Sequence, residues 1–182
     1  MDLKNNKRWV CAAALIALLI SGCGVNVKTY VKPDVPWDAL KKFAVFPFSL
    51  PSENPVERQL VTQLFAQELR RAEITELIEV PVEDSMGVSP FNLKKIGQAY
   101  GVDAVFTGSV DTTYGTVVHV RLQDVATEDL LWSGSYTLGT RAELFSIKTQ
   151  QQHLQRAFDR LVGDFTSEAP ISISSYGYYG EE

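Results

Sequence analysis

In the first half of the chain, short runs of apolar residues alternate with segments in which apolar residues recur at helical spacing. Residues 43–48 form an almost continuous apolar run, which predicts a short buried strand. Between residues 56 and 69 the apolar positions recur at helical spacing, after Asn54 as a cap and Pro55 in the first helical position. These features predict a first helix that ends near Arg70–Arg71, where positive charge suits a C-terminus.

The same alternation of strand and helix continues to residue 110. Residues 75–82 predict a second strand, and Ser89–Pro90 predicts the start of a short second helix. Gly101 then stands where a glycine commonly ends a helix. Residues 102–110 predict a third strand, in which Gly108 indicates a bulge or a close backbone approach.

In the last part of the chain the spacing of the apolar residues is different. Apolar and polar residues alternate over 118–123, and residues 130–136 form a second apolar-rich segment after a turn at 126–129, which together predict an antiparallel hairpin. Helical spacing returns over residues 147–165. The predicted order is β-α-β-α-β-β-β-α, and it favours a mixed α/β fold with one sheet of about five strands and helices packed on it.

The N-terminus has the pattern of an export signal. Three basic residues precede Trp9–Ile20, an apolar run of twelve residues. This run is shorter than the roughly 20 residues that a membrane-spanning helix needs, but it suits a secretory signal. The following Ile20-Ser21-Gly22-Cys23 resembles the lipobox of bacterial lipoproteins. The resemblance implies cleavage of residues 1–22 and lipidation of Cys23.

The segments before and after the predicted domain are interpreted as a membrane tether and a C-terminal tail. By resemblance to Gram-negative sorting rules, Gly24 favours the outer membrane, with the protein on its periplasmic face. Residues 23–42 are interpreted as a lipidated, extended tether, in which Trp37 either packs against the domain or reaches the membrane interface. The domain is expected over 43–166, followed by a flexible Ser/Gly/Tyr-rich tail over 167–182.

Charge and cysteine content narrow the possible partners. The whole chain of 182 residues carries −5, and the signal contributes +2, so the mature chain of 160 residues is near −7. This balance argues against nucleic acid as a partner and permits a cationic one. Cys11 leaves with the signal and Cys23 is acylated, so no disulfide is expected within one mature chain.

Three segments in order resemble the group of domains like the TolB N-terminal domain. They are residues 43–48, residues 100–110, and the hairpin from Leu122 to Gly134. The resemblance covers roughly residues 40–166 and implies a fold shared by CsgG-like, LpoB-like and PelC-like lipoproteins. The hairpin departs from the group, because Thr127-Glu128-Asp129 replaces the usual Thr-Gly-Glu, which puts the tight geometry of this turn in doubt.

The length of the chain and its predicted C-terminal helix favour the PelC-like lipoproteins within that group. The chain has no long alternating insertion of the CsgG-like kind, and it has a short tether and a full terminal helix, unlike LpoB-like proteins. The PelC resemblance implies a ring-like homo-oligomer that works with a PelB-like outer-membrane porin in exporting a cationic exopolysaccharide. An LpoB-like activator of a cell-wall synthase and a CsgG-like protein-secretion lipoprotein remain the alternatives.

No residue pattern in the sequence points to catalysis, a metal or a cofactor. His119 and His153 lie on different predicted elements, and Asp111 and Asp124 could face each other only if their strands pair in a suitable register. We therefore expect a protein that is not an enzyme. Candidate membrane or partner contacts are Trp37, Trp132 and Leu144–Phe145, for which core packing and a helix-entry contact are the competing interpretations.

Overall fold

The computed structural model of the chain describes residues 27–52, 54–82, 92–113, 115–138 and 147–169. Within these ranges one mixed sheet of six strands carries three helices, which confirms the predicted fold class. The strands are β1 (Val27–Val31), β2 (Phe43–Val45), β3 (Leu77–Glu79), β4 (Ala104–Asp111), β5 (Val117–Asp124) and β6 (Leu130–Thr137). The helices are α1 (Pro55–Arg71), α2 (Leu93–Tyr100) and α3 (Ile147–Glu168).

The sheet has one strand more than the expected number of about five, because β1 lies within the predicted tether. This strand pairs antiparallel with β6 at one edge of the sheet, with Val27 opposite Tyr136 and Val31 opposite Trp132. Only Val27 and Val31 pack partly against the core, while the three residues between them are exposed. An edge strand that buries so little leaves no alternating pattern in the sequence.

The strand order is β1-β6-β5-β4-β2-β3. Strand β2, next to the edge strand β3, runs parallel to both β3 and β4, because α1 and α2 lie in the connections between successive parallel strands. Strands β4, β5, β6 and β1 pair antiparallel, as the alternating pattern over 118–123 indicates for the hairpin. The predicted alternation of strand and helix up to residue 110, followed by an antiparallel hairpin, is therefore confirmed.

The main core lies between one face of the sheet and helices α1 and α3. Its centre is an aromatic cluster in which the ring centroids of Phe48, Phe65 and Phe158 are 5.2–5.4 Å apart. Helix α2 covers a smaller cluster on the other face, built on Ala44 and Val105 from the parallel strands. Edge-to-face ring pairs of this kind favour a single packing arrangement over a loose apolar interior.

Gly108 allows this core to form. It lets a side chain approach the β4 backbone closely, and it does not form a bulge. A Cβ atom at this position would lie 2.2 Å from Cε1 of Phe48, whose side chain is fully buried. The ladder of β4 with β5 runs through Gly108 opposite Val120 without a shift in register. The Phe48 ring therefore packs directly on the β4 backbone.

The predicted helix ends are confirmed where the structure describes them. The Asn54 side chain accepts a hydrogen bond from the Val56 amide at 3.0 Å and caps α1. Gly101 ends α2 in the left-handed conformation, with φ of 62°. Helix α2 begins at Leu93, and the Ser89–Pro90 start predicted for it lies outside the described residues.

The hairpin turn keeps its geometry without the usual glycine. Glu128 stands at the position of that glycine and has φ of 63°, in the left-handed region. The Thr127 amide donates a hydrogen bond to Oδ1 of Asp124 at 2.7 Å, and the Glu128 amide donates to the Asp124 carbonyl at 3.0 Å. These bonds hold a backbone conformation that costs a residue with a side chain about 1–2 kcal/mol.

Candidate functional surfaces

Two of the predicted contact residues are part of the core. Trp37 is 8% exposed and packs edge-on against Phe165, with ring centroids 6.1 Å apart. Trp132 is 1% exposed, and its indole N–H donates to Glu168 at 3.3 Å. In both cases the structure shows the core-packing alternative. The remaining predicted residues, Cys23 and Leu144–Phe145, lie outside the described residues.

The titratable residues singled out in the sequence do not converge. His119 is exposed on the sheet face opposite α3, the helix that carries His153. Asp111 pairs with Val117 and Asp124 pairs with Ala104, so the two carboxylates lie at opposite ends of the β4–β5 ladder and do not face each other. The described ranges contain no group of three or more His, Cys, Asp or Glu residues that could hold a metal ion.

Asp111 has a local structural role instead. Its carboxylate accepts a hydrogen bond from the Thr113 amide at 2.8 Å, immediately after β4 ends. Hydrogen bonds from the side chain and backbone of Thr113 hold the pKa of Asp111 below its usual range, and the nearby His119 acts in the same direction. This pattern is a short aspartate turn that closes the strand.

An apolar cavity of about 350 Å³ opens between the first turns of α1, the N-terminal part of α3 and the end of the sheet. Its volume lies at the lower end of the range of ligand pockets, about 300–1,000 Å³. Most of its lining is aliphatic: Leu50, Pro51, Leu60, Val61, Leu64, Val110, Leu138 and Leu154. We call this space the apolar cavity. Sequence patterns could not reveal it, because its walls come from several elements far apart in the chain.

A buried hydroxyl stands in the wall of the apolar cavity. Thr116 is 3% exposed, and its Oγ1 has no hydrogen-bond partner among the described residues. The Thr116 carbonyl, by contrast, accepts from the Leu138 amide at 2.7 Å, which closes this end of the β5–β6 pair. An unpartnered buried hydroxyl is uncommon in native structures and calls for an explanation.

The register places the apolar cavity at the end of the sheet where β1 begins. Val27 lies opposite Tyr136, Tyr136 opposite Val118, and Val118 opposite Val110. Val110 lines the cavity, as does Leu138, two residues beyond Tyr136. We call this end of the domain the anchor end, because Cys23, the predicted lipidation site, precedes Val27 by four residues.

Three exposed acidic residues stand at turns around the opposite, distal end. Asp34 follows β1, Glu73 follows α1, and Glu128 lies in the β5–β6 turn. All three have positive φ, at 59°, 64° and 63°. Lys41 and Lys42, just before β2, are exposed at the same end. The distal end therefore presents charges of both signs, with the acidic side chains at the tips of tight turns.

No helix of the described part of the chain is long and apolar enough to cross a bilayer. Neither a protein-family model nor a curated protein matches the sequence. The structure is similar to PelC from Paraburkholderia phytofirmans, described as a dodecamer, with a TM-score of 0.53 and 17% identity over 76% of this chain and 97% of that one. The fold is PelC-like.

Two further solved structures are similar. A single-residue variant of the same PelC dodecamer matches with a TM-score of 0.51 and 16% identity, over 76% of this chain and 98% of that one. Lipoprotein GNA1162 from Neisseria meningitidis has 20% identity over 68% of this chain and 98% of that one, with a TM-score of 0.41. The two PelC structures carry the assignment of the fold.

Proposed function

We propose that the chain is a non-enzymatic lipoprotein of the outer membrane that forms a ring-like homo-oligomer in an export apparatus for a cationic exopolysaccharide. The observation that carries this proposal is the PelC-like fold, which extends over 97% of a protein that assembles as a dodecamer. A PelB-like porin is the outer-membrane partner that the resemblance implies. The lipobox around Cys23 supplies the attachment to the periplasmic face of the membrane.

The short connection between Cys23 and β1 supports a domain held close to the lipid. At about 3.3 Å per extended residue, the four steps from Cys23 to Val27 span roughly 13 Å at most. Strand β1 is fixed in the sheet through its pairing with β6. The lipid would therefore hold the anchor end against the membrane and direct the distal end into the periplasm.

The charge of the mature chain supports a cationic polymer as the exported material. The mature chain carries about seven more acidic than basic groups, and acidic turns with Asp34, Glu73 and Glu128 surround its distal end. In a ring these turns would repeat around the opening and raise the local concentration of a cationic chain. Screening by salt should weaken such attraction, since these side chains are exposed.

Assembly is tested with the mature chain in which Cys23 is replaced by serine, so that no lipid drives association. Native mass spectrometry should show one closed oligomer, and negative-stain images should show rings. Head-to-tail contacts give a ring when the rotation between neighbours closes, and an open filament when it does not. A strictly monomeric chain at high concentration would contradict the ring.

Polymer binding is tested by removing charge without altering the turns. The triple variant Asp34→Asn, Glu73→Asn and Glu128→Asn keeps residues that tolerate positive φ. It should bind a cationic glucosamine polymer more weakly than the unaltered chain, in a manner that depends on salt. The matched control, Lys41→Gln with Lys42→Gln at the same end, should bind at least as strongly. Equal binding by all three proteins would reject the distal end as the contact.

A further inference from the structure

The apolar cavity lies at the end of the domain where β1 begins, and the predicted lipid attachment point, Cys23, precedes β1 by four residues. The cavity is lined by Val110 and Leu138, and the register aligns Val27 with this same end of the sheet. From Val27 to Cys23 is a reach of roughly 13 Å at most. Adjacent strands are about 4.8 Å apart, so crossing from β1 to the strands that border the cavity takes a comparable distance.

We propose that one acyl chain of the lipid on Cys23 occupies the apolar cavity. The assignment rests on the lipid anchor of the proposed function. An acyl chain is an unbranched apolar group, and the cavity offers an aliphatic lining with few polar atoms. A lipoprotein cysteine typically carries three acyl chains by resemblance, so the remaining chains keep the protein in the bilayer while one enters the domain.

The half-buried leucines of the lining support an apolar occupant. Leu60 and Leu64 of α1 and Leu154 of α3 face the cavity from two helices, and none of them is fully covered. At the first turn of α1, Val56 is 74% exposed and lines a neighbouring pocket together with Leu60. An acyl chain that arrives from the membrane would remove this surface from water, which is favourable.

The buried hydroxyl of Thr116 adds a polar feature that this occupant can explain. It lies in the cavity wall without a partner among the described residues. The carbonyl group at the head of an acyl chain is a hydrogen-bond acceptor, which is what the Thr116 hydroxyl lacks among the described residues. An apolar side chain from a protein partner would supply no such acceptor.

The test uses the full-length protein in its own cells, with the photoreactive residue benzoylphenylalanine in place of Leu64. After irradiation, mass spectrometry should identify a crosslink between the peptide that carries position 64 and the acylated N-terminal peptide at Cys23. The matched control places the same residue at Gln67, which is exposed on the same helix. The control should give no such crosslink.

A second probe position keeps the test decisive if the bulky residue at 64 disturbs folding. Benzoylphenylalanine at Leu60 should give the same crosslink, and adding Leu154→Trp, which fills the space from α3, should abolish it. Crosslinks confined to phospholipid, to another protein, to a second copy, or to residues 139–146 of the same chain would overturn the assignment, as would no crosslink at either position.

The same spectra separate this inference from the proposed function. The mass of the N-terminal peptide reports directly whether Cys23 is acylated. If Cys23 is acylated and neither probe reaches it, the lipid anchor stands and the cavity assignment fails. If Cys23 carries no lipid, the anchor and the cavity assignment fail together. A decrease in the crosslink caused by Thr116→Val would further assign the hydroxyl to the acyl head, and an unchanged yield would remove it from the site.

Discussion

Replacing Gly108 with alanine adds one methyl group to the main core at a position where the structure leaves no room for it. The new Cβ atom would lie 2.2 Å, 2.4 Å and 2.6 Å from three atoms of the Phe48 ring. Carbon atoms in contact normally lie about 3.5–4.0 Å apart. The ring or the β4 backbone must therefore move by more than an ångström.

The surroundings of Phe48 determine how much this movement costs. The ring cannot simply withdraw, since its centroid lies 5.4 Å from that of Phe65 and 5.4 Å from that of Phe158. Forcing extra atoms into a packed core costs about 1–3 kcal/mol, and with both sides blocked we expect a value near 3 kcal/mol. This is a large part of the roughly 5–15 kcal/mol by which a domain is stable.

Urea unfolding of the mature chain with Cys23→Ser measures the effect. With a denaturant dependence of about 1–3 kcal/mol per molar urea, a cost near 3 kcal/mol should lower the midpoint by about 1–3 M. The control is Gly163→Ala on α3, where a Cβ atom meets nothing within 4 Å. It should stabilise the protein by about 0.5–1 kcal/mol, because alanine loses less backbone entropy in a helix.

A double variant locates the clash. Leucine in place of Phe48 lacks the ring atoms that the new methyl group meets, so Gly108→Ala with Phe48→Leu should cost less than the sum of the two single changes. A coupling of about 1 kcal/mol or more is expected for residues in direct contact. An unchanged midpoint in Gly108→Ala, or strictly additive costs in the double variant, would refute the close approach of Phe48 to β4.

Three further predictions concern stability in the same non-lipidated chain. Asn54→Ala removes the cap on the Val56 amide and should cost about 1 kcal/mol in urea unfolding, whereas Asn54→Asp should restore most of it. Thr116→Val removes a buried hydroxyl that has no described partner and should stabilise the protein by about 1 kcal/mol; a loss of stability would indicate that the hydroxyl is hydrogen-bonded. The hydrogen bond from Lys32 holds the pKa of Asp129 below its usual value, so the stability this pair contributes is present above about pH 3.9 and is lost as the pH falls through the lowered pKa. Asp129→Asn should therefore flatten the acid limb of stability against pH, and an identical acid limb would exclude the pair as a contributor.

The elements with strong periodicity could be predicted from the sequence, and the weakly buried ones could not. Helix α1 has an apolar face, a cap and a proline at its start, and all of these appear in the structure. Strand β5 shows clean alternation because one face packs on the core and the other is solvated. Strand β1 is exposed over three of its five residues, so its sequence resembles a linker.

The turn after β5 and the apolar cavity could not be predicted from sequence patterns, for two different reasons. Glu128 occupies a left-handed position through the hydrogen bonds of its neighbours, although a glycine is the usual signal for such a position. The cavity depends on how α1 and α3 meet beyond the end of the sheet, with Leu64 and Leu154 on separate helices. The periodicity of apolar residues within one segment does not indicate how two segments far apart in the sequence pack against each other.

The pairing of β1 with β6 also sets an order of folding. The first strand of the domain lies opposite residues about a hundred positions later in the chain, with Val27 opposite Tyr136. Strands β4, β5 and β6 follow one another with short turns and can pair as soon as they are present, whereas β1 must wait through a much longer loop closure. A chain delivered from its N-terminus would thus hold its first strand unpaired until nearly all of the domain had arrived. During that interval the sheet would remain open at one edge, so completion of the sheet would mark the end of delivery.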